Sequence, residues 1–179
     1  MASTQKKSIG LLGGSFDPAH KGHLGISKIA IQKLKLKRIY WVITRKNPFK
    51  NKTFYFLKER IKFAKKISKN EKKIKLIYLE NIIKSSRIID VVNYFIKKKK
   101  IKNIYFIIGS DNLPRFHKWK SWKKIVKLVK LIVFSRRGYD RKGMKSIVVK
   151  NFKNRIIFIK NKPILISSTQ LKKRTESNI

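Results

Sequence analysis

No cysteine occurs among the 179 residues, so the chain has neither a disulfide frame nor a thiolate metal site. Acidic residues are scarce, 8 against 48 basic ones, which leaves few carboxylates for a metal cage. No apolar run approaches the roughly 20 residues needed to cross a bilayer. The stretch Ser3-Thr4-Gln5-Lys6-Lys7 ahead of the first apolar run lacks the form of a signal peptide, and a soluble, cytoplasmic protein is expected. Histidine is rare too, with three in the whole chain. What remains is basic and rich in isoleucine, lysine and asparagine.

The formal net charge of +40 would ordinarily point to nucleic acid. The lysines, however, are spread along the whole chain, and the combined excess of Lys, Ile and Asn has the form of an AT-rich coding bias. Lys97-Lys98-Lys99-Lys100 falls at the end of a predicted helix, where cations suit the helix dipole. No basic stripe interleaved with exposed aromatics is present, so specific nucleic-acid binding is not expected. The field still favours encounters with anionic small molecules.

The length fits one domain, residues 1–179, with a core of several strands and helices. Short apolar runs at Ser8–Leu12, Arg38–Ile43, Ile74–Leu79, Asn103–Ile108, Lys130–Phe134 and Ile156–Ile159 read as strands. Between them, apolar residues recur at helical spacing: Phe54, Leu57, Ile61, Ala64 and Ile67; Ile88, Ile89, Val92, Phe95 and Ile96; Trp122, Ile125, Val126 and Val129. Ser85 or Ser86 is placed to cap the second of these helices. Tyr139 to Lys150 reads as an exposed polar loop, and Pro163 as a strand stop. The alternation predicts an α/β fold: a doubly wound, Rossmann-like domain whose mainly parallel sheet of five or six strands carries helices on both faces. Ligands of such sheets bind at the carboxyl ends of the strands.

The most informative segment sits at one of those ends. Gly13-Gly14-Ser15-Phe16-Asp17-Pro18-Ala19-His20-Lys21-Gly22-His23-Leu24 follows the first apolar run and precedes a helical pattern from Ile26 to Leu34. Paired glycines allow close backbone approach to a ligand. A helix start offers N–H groups and a positive dipole end to phosphate. His20 and His23, three apart, fall on one face of the first turn and can serve the same phosphate oxygens. The segment resembles the GGxFDPxHxGH signature of the nucleotidyltransferases that adenylylate phosphate-bearing cofactor precursors. Within that superfamily the chain is most similar to the bacterial nicotinate-nucleotide adenylyltransferases, from Ser8 to about Lys173.

Further motifs fall at the same predicted sheet edge. Thr44-Arg45-Lys46-Asn47-Pro48-Phe49-Lys50 is a basic loop in which Lys50 fits the family pattern and Phe49 departs from it. Ile108-Gly109-Ser110-Asp111 resembles the family's GxD element, which implies ribose contact for Asp111, and Trp119 follows at the family's spacing for stacking on a pyridine. Trp122, on the helical stripe, is the core tryptophan of the two, and His117 reads as an exposed loop residue. Ser135-Arg136-Arg137-Gly138-Tyr139 resembles an Arg-Pro-Gly-Tyr corner that would place Arg136 near ATP. Ile166-Ser167-Ser168-Thr169-Gln170-Leu171-Lys172 resembles ISSTxIR, with Lys172 where the family has arginine. Ser86-Arg87-Ile88 stands where relatives carry Ser-Tyr-Thr, leaving Arg87 or backbone N–H groups to meet a substrate carboxylate.

The resemblance implies adenylyl transfer from ATP to nicotinate mononucleotide, forming the dinucleotide and pyrophosphate in NAD biosynthesis. The implied catalytic residues are His20, His23 and Lys50. The ATP site would draw on Gly13, Gly14, Ser15, Phe16, His20, His23, Gly109, Asp111, Arg136, Ile166, Ser168, Thr169 and Lys172. The acceptor site would use Lys50, Arg87 and Trp119. Mg²⁺ would be held mainly by substrate phosphates, with no metal site of the protein's own. No cysteine nucleophile and no serine with a paired base is present, which suits direct attack by the acceptor's phosphate. Nicotinamide-nucleotide and pantetheine-phosphate adenylyltransferases share the first motif and are the alternatives within the superfamily. A basic RNA-binding protein is the alternative outside it. The oligomeric state is not legible in the sequence.

Overall fold

Runs such as Leu11-Leu12, Ile107-Ile108 and Leu131–Phe134 are apolar on both sides of a strand, and only a sheet covered on both faces buries them. The computed structural model, which describes residues 8–45 and 53–161, has such a sheet. Its strands are β1 (Ser8–Gly14), β2 (Arg38–Ile43), β3 (Ile74–Ile77), β4 (Asn103–Gly109), β5 (Lys130–Phe134) and β6 (Ile156–Ile159). All neighbours pair in parallel, in the order β3-β2-β1-β4-β5-β6. This is the doubly wound order, and its switch point lies between β1 and β4.

The helices are α1 (Lys21–Lys33), α2 (Leu57–Ser68), α3 (Glu80–Ile83), α4 (Ile88–Lys97), α5 (Trp122–Leu128), α6 (Asp140–Met144) and α7 (Ile147–Phe152). A 3-10 segment, Ser110–Lys118, follows β4 directly. One face of the sheet buries Leu12, Ile39, Trp41, Ile43, Ile107, Ile132 and Phe134 with Ala30 of α1 and Ala64 of α2. The other buries Leu11, Phe106, Ile108, Leu131 and Val133 against α4, α5, α7 and the 3-10 segment. Successive residues alternate between the two cores, as the pleat requires.

The elements stand close to where the sequence placed them, with these departures. β3 ends at Ile77, two residues early, because Leu79 turns into the core at the start of α3. β1 continues through Gly13 and Gly14, which pair with Val42 and Ile43, so the glycines close a strand rather than form the turn. Tyr139 to Lys150, expected as an exposed loop, is instead α6 and most of α7. Val148 and Val149 are buried there and Gly143 packs on Leu113, so apolar contact with the 3-10 segment orders a stretch whose polar composition hid it. The fully buried tryptophan is Trp41, whereas Trp122 is partly buried against Phe152. His117, expected exposed, lies half-buried in the 3-10 segment.

Candidate active site

The first turn of α1 is capped by imidazoles. His20 occupies the cap position with extended backbone, and its Nδ1 accepts the N–H of Gly22 at 3.0 Å. The Nδ1 of His23 accepts the N–H of His20 at 3.3 Å. The backbone N–H groups of His23 and Leu24 both point to the carbonyl of His20. The N–H groups of His20, Gly22, His23 and Leu24 are therefore used within the turn. With both Nδ1 atoms accepting, each neutral ring carries its proton on Nε2 as a donor. The ring centroids lie 4.0 Å apart. Burial, reinforced by the Arg136 charge, pushes the pKa of His20 down to about 4. Burial, then His20 and Arg136, holds His23 well below the ordinary 6.5. At neutral pH both are uncharged N–H donors in the ligand-free protein.

Phe16 fixes this pair from below. Its backbone is left-handed, with φ 47°, and its ring packs between His23 at 4.7 Å and Trp41 at 5.1 Å. At 2% exposure the Phe16 ring supports the histidine and belongs to the core, and Ser15 is buried as well. The Trp41 indole N–H in turn donates to Ser27 Oγ of α1 at 2.9 Å.

Two residues with no sequence signal hold the surrounding backbone. Arg60 of α2, 1% exposed, donates to the carbonyls of Ser15 at 2.6 Å, Thr44 at 2.8 Å, Arg45 at 2.8 Å and Tyr55 at 3.1 Å. Asp17 and Glu80 bring compensating negative charge to it. Glu80 also accepts the N–H of Arg45 at 2.8 Å, and Asp17 accepts the N–H groups of Phe54 and Tyr55, both at 2.9 Å. The signature aspartate thus binds backbone near the start of α2.

Across the switch point, Gly109 ends β4 and the 3-10 segment begins. A Cβ at Gly109 would overlap the Asp111 carboxylate and press on Arg136 Nε at 3.0 Å. Asp111 Oδ1 lies 3.6 Å from Arg136 Nε, an ion pair with both side chains partly exposed. Ser110, buried to 1%, donates to Asp140 Oδ1 at 2.6 Å and accepts the N–H of Arg136 at 2.9 Å. That hydrogen bond from Ser110 is the main cause holding the Asp140 carboxyl below its usual range. Gly138, at φ 81°, supplies the left-handed bend that returns the chain to α6. Asp140, unmarked in the sequence, thus joins Ser110 in fixing the loop that bears Arg136.

Between these two edges lies a cleft of about 440 Å³. Gly13, Gly14, His23, Gly109, Arg87, Trp119 and Arg136 line it, together with Thr44, Lys118 and Lys120. His20, 6% exposed, lies outside the cleft wall. Trp119 stacks on buried Phe116 at 4.9 Å and meets Phe106 edge-on at 5.9 Å, so two rings set its orientation at the cleft wall. Ile88 packs 3.2 Å from the position a Cβ of Gly13 would take, bringing the α4 start against β1. Lys50, Ile166, Ser168, Thr169, Lys172 and Pro163 lie outside the described residues. Among the described residues no three His, Cys, Asp or Glu side chains converge as a metal site, and no helix is long and apolar enough to cross a membrane.

A 3-2-1-4-5-6 parallel sheet with paired neutral imidazoles and an arginine at its switch point defines a Rossmann-like α/β domain suited to phosphate groups. The Cytidylyltransferase-like family model matches residues 11–174. The chain is 52% identical over 170 residues, 94% of each chain, to a "Probable nicotinate-nucleotide adenylyltransferase" of Pelagibacter ubique. It is 37% identical over 113 residues to a protein of the same name from Bradyrhizobium sp. (strain ORS 278), covering 63% of this chain and 58% of that one. In fold it is similar to Plasmodium falciparum nicotinic acid mononucleotide adenylyltransferase complexed with NaAD, with TM-score 0.72 and 21% identity, covering 93% of this chain and 83% of that one. The chain belongs to the Cytidylyltransferase-like family and, within it, to the nicotinate-nucleotide adenylyltransferases. It is a nucleotidyltransferase.

Proposed function

We propose that the protein transfers the adenylyl group of ATP to the 5′-phosphate of nicotinate mononucleotide, giving nicotinate adenine dinucleotide and pyrophosphate, as one cytoplasmic domain over residues 1–179. The observation that carries this reading is the His20–His23 pair, its Nδ1 atoms tied to backbone and its protons on Nε2, beside Arg136. An acceptor phosphate is already a nucleophile at neutral pH and needs no base. The protein's task is in-line placement and neutralisation of charge on the transferring phosphorus. His20 and His23 donate to the triphosphate. Arg136, held by Asp111 and the Ser110–Asp140 pair, adds charge beside them. Gly109 leaves room for that arrangement, and Asp111 accepts from a ribose hydroxyl. Lys50 and Lys172, with Ser168 and Thr169, complete the phosphate contacts on the family pattern.

The acceptor's pyridine stacks on Trp119, and its carboxylate meets the positive wall made by Arg87, Lys118 and Lys120. These cations favour the acid over the amide, which is the basis for preferring nicotinate to nicotinamide. Mg²⁺, when bound, screens charge on the phosphate oxygens. The cleft wall offers cations and neutral donors, a set that fits an ion carried in by the nucleotide rather than caged by protein. The test is pyrophosphate release with ATP and a panel of nicotinate mononucleotide, nicotinamide mononucleotide and pantetheine phosphate. Release should be fastest with the first. Equal or faster release with another acceptor would reassign the substrate.

A further inference from the structure

Arg60 is no part of the cleft wall, yet it is buried to 1% and its guanidinium engages carbonyls from three separate segments. Ser15 belongs to the turn that leads to His20 and His23. Thr44 lines the cleft at the exit of β2, with Arg45 next to it. Tyr55 lies just ahead of α2, whose approach Asp17 also holds through two N–H groups. A direct Gly14–Thr44 backbone bond of 3.0 Å ties the strand ends together, and Arg60 bridges the three segments beyond them with one side chain.

We propose that Arg60 is a positioning residue for adenylyl transfer: it sets the separation between the histidine turn, which holds the triphosphate, and the β2 exit, where Thr44 lines the cleft. This rests on the reaction proposed above. The guanidinium suits the task because its rigid fork serves diverging acceptors together, which an ammonium on a flexible stem does not. A shift of about 1 Å between reacting groups costs on the order of 10²-fold in rate, and it acts on the chemical step more than on ground-state binding.

The test compares Arg60→Lys and Arg60→Gln with wild type, using pyrophosphate release at saturating ATP and nicotinate mononucleotide together with thermal unfolding of each protein. The expected result, in a folded variant, is kcat lowered about 10²-fold with both KM values within about threefold of wild type. A folded variant with wild-type kcat and only a lower Tm would show a merely structural arginine and overturn the assignment. So would failure of both variants to fold. A wild-type enzyme that releases no pyrophosphate with any acceptor sinks the reaction itself. An active wild type matched by a folded Arg60→Lys sinks only the positioning role.

Discussion

The imidazoles of His20 and His23 cap the same helix and face one another at 4.0 Å, each with its Nδ1 occupied by a backbone N–H. The arrangement makes the capping hydrogen bonds and the choice of tautomer a single event. It also distinguishes the two histidines, because His23 lines the cleft while His20 is buried outside its wall.

Replacing His23 by alanine should therefore lower kcat by about 10²-fold or more, on the scale of losing one preorganised donor. It should also lower stability, because the His20 N–H loses its acceptor while the His20 cap on Gly22 remains. His20→Ala should lower kcat and also cost roughly 1 kcal/mol of stability as a lost cap. Steady-state kinetics with thermal unfolding separates the two. Wild-type turnover in His23→Ala would remove that residue from the chemistry.

Acid should destabilise the protein before its carboxylates titrate. Unfolded, a histidine takes up its proton near pH 6.5; folded, His20 does so only near 4. Between those values the unfolded chain binds more protons, so stability falls as pH drops from about 6.5 to about 4, by up to ~1.4 kcal/mol per pH unit for this one group. His23, shifted in the same direction, adds to the loss. Tm measured across this window should fall in wild type and flatten in His20→Asn/His23→Asn. A flat wild-type curve would contradict the neutral buried pair.

On the proposed reaction, Asp140 should act on ATP through Arg136. Asp140→Ala removes the acceptor for Ser110 Oγ and one of the two acceptors for the Arg136 N–H. KM for ATP should rise about tenfold, the scale of a lost hydrogen bond to a charged group, with KM for the acceptor near wild type. Gly109→Ala should act on the same substrate, because its Cβ displaces the Asp111–Arg136 pair. Equal rises for both substrates would show a general collapse of the edge instead.

Trp119→Ala should raise KM for nicotinate mononucleotide about tenfold, the order expected from losing one aromatic stacking platform, while leaving KM for ATP nearly unchanged. An unchanged acceptor KM would move the pyridine elsewhere in the cleft.

Much of this was legible in the residues, for physical reasons that also mark where legibility ends. Strands buried on both faces, such as Lys130–Phe134, are continuous apolar runs and betray themselves. Gly13 and Gly14 were legible as ligand-facing but not as strand residues, because only pairing with Val42 and Ile43 makes them so. The segment from Tyr139 to Lys150 was misread, since Val148 and Val149 are too short a run to set a period. Arg60 could not be singled out among 48 basic residues, for nothing in a sequence marks which guanidinium is buried. Asp140 was equally silent, as its work depends on Ser110 lying opposite it, 30 residues away.

The most direct measurement is pyrophosphate release from ATP with nicotinate mononucleotide by wild type and His23→Ala, side by side at neutral pH. The account predicts rapid release by the first and about 10²-fold slower release by the second, with both proteins folded. Equal rates in the two, or none in the wild type, would contradict it.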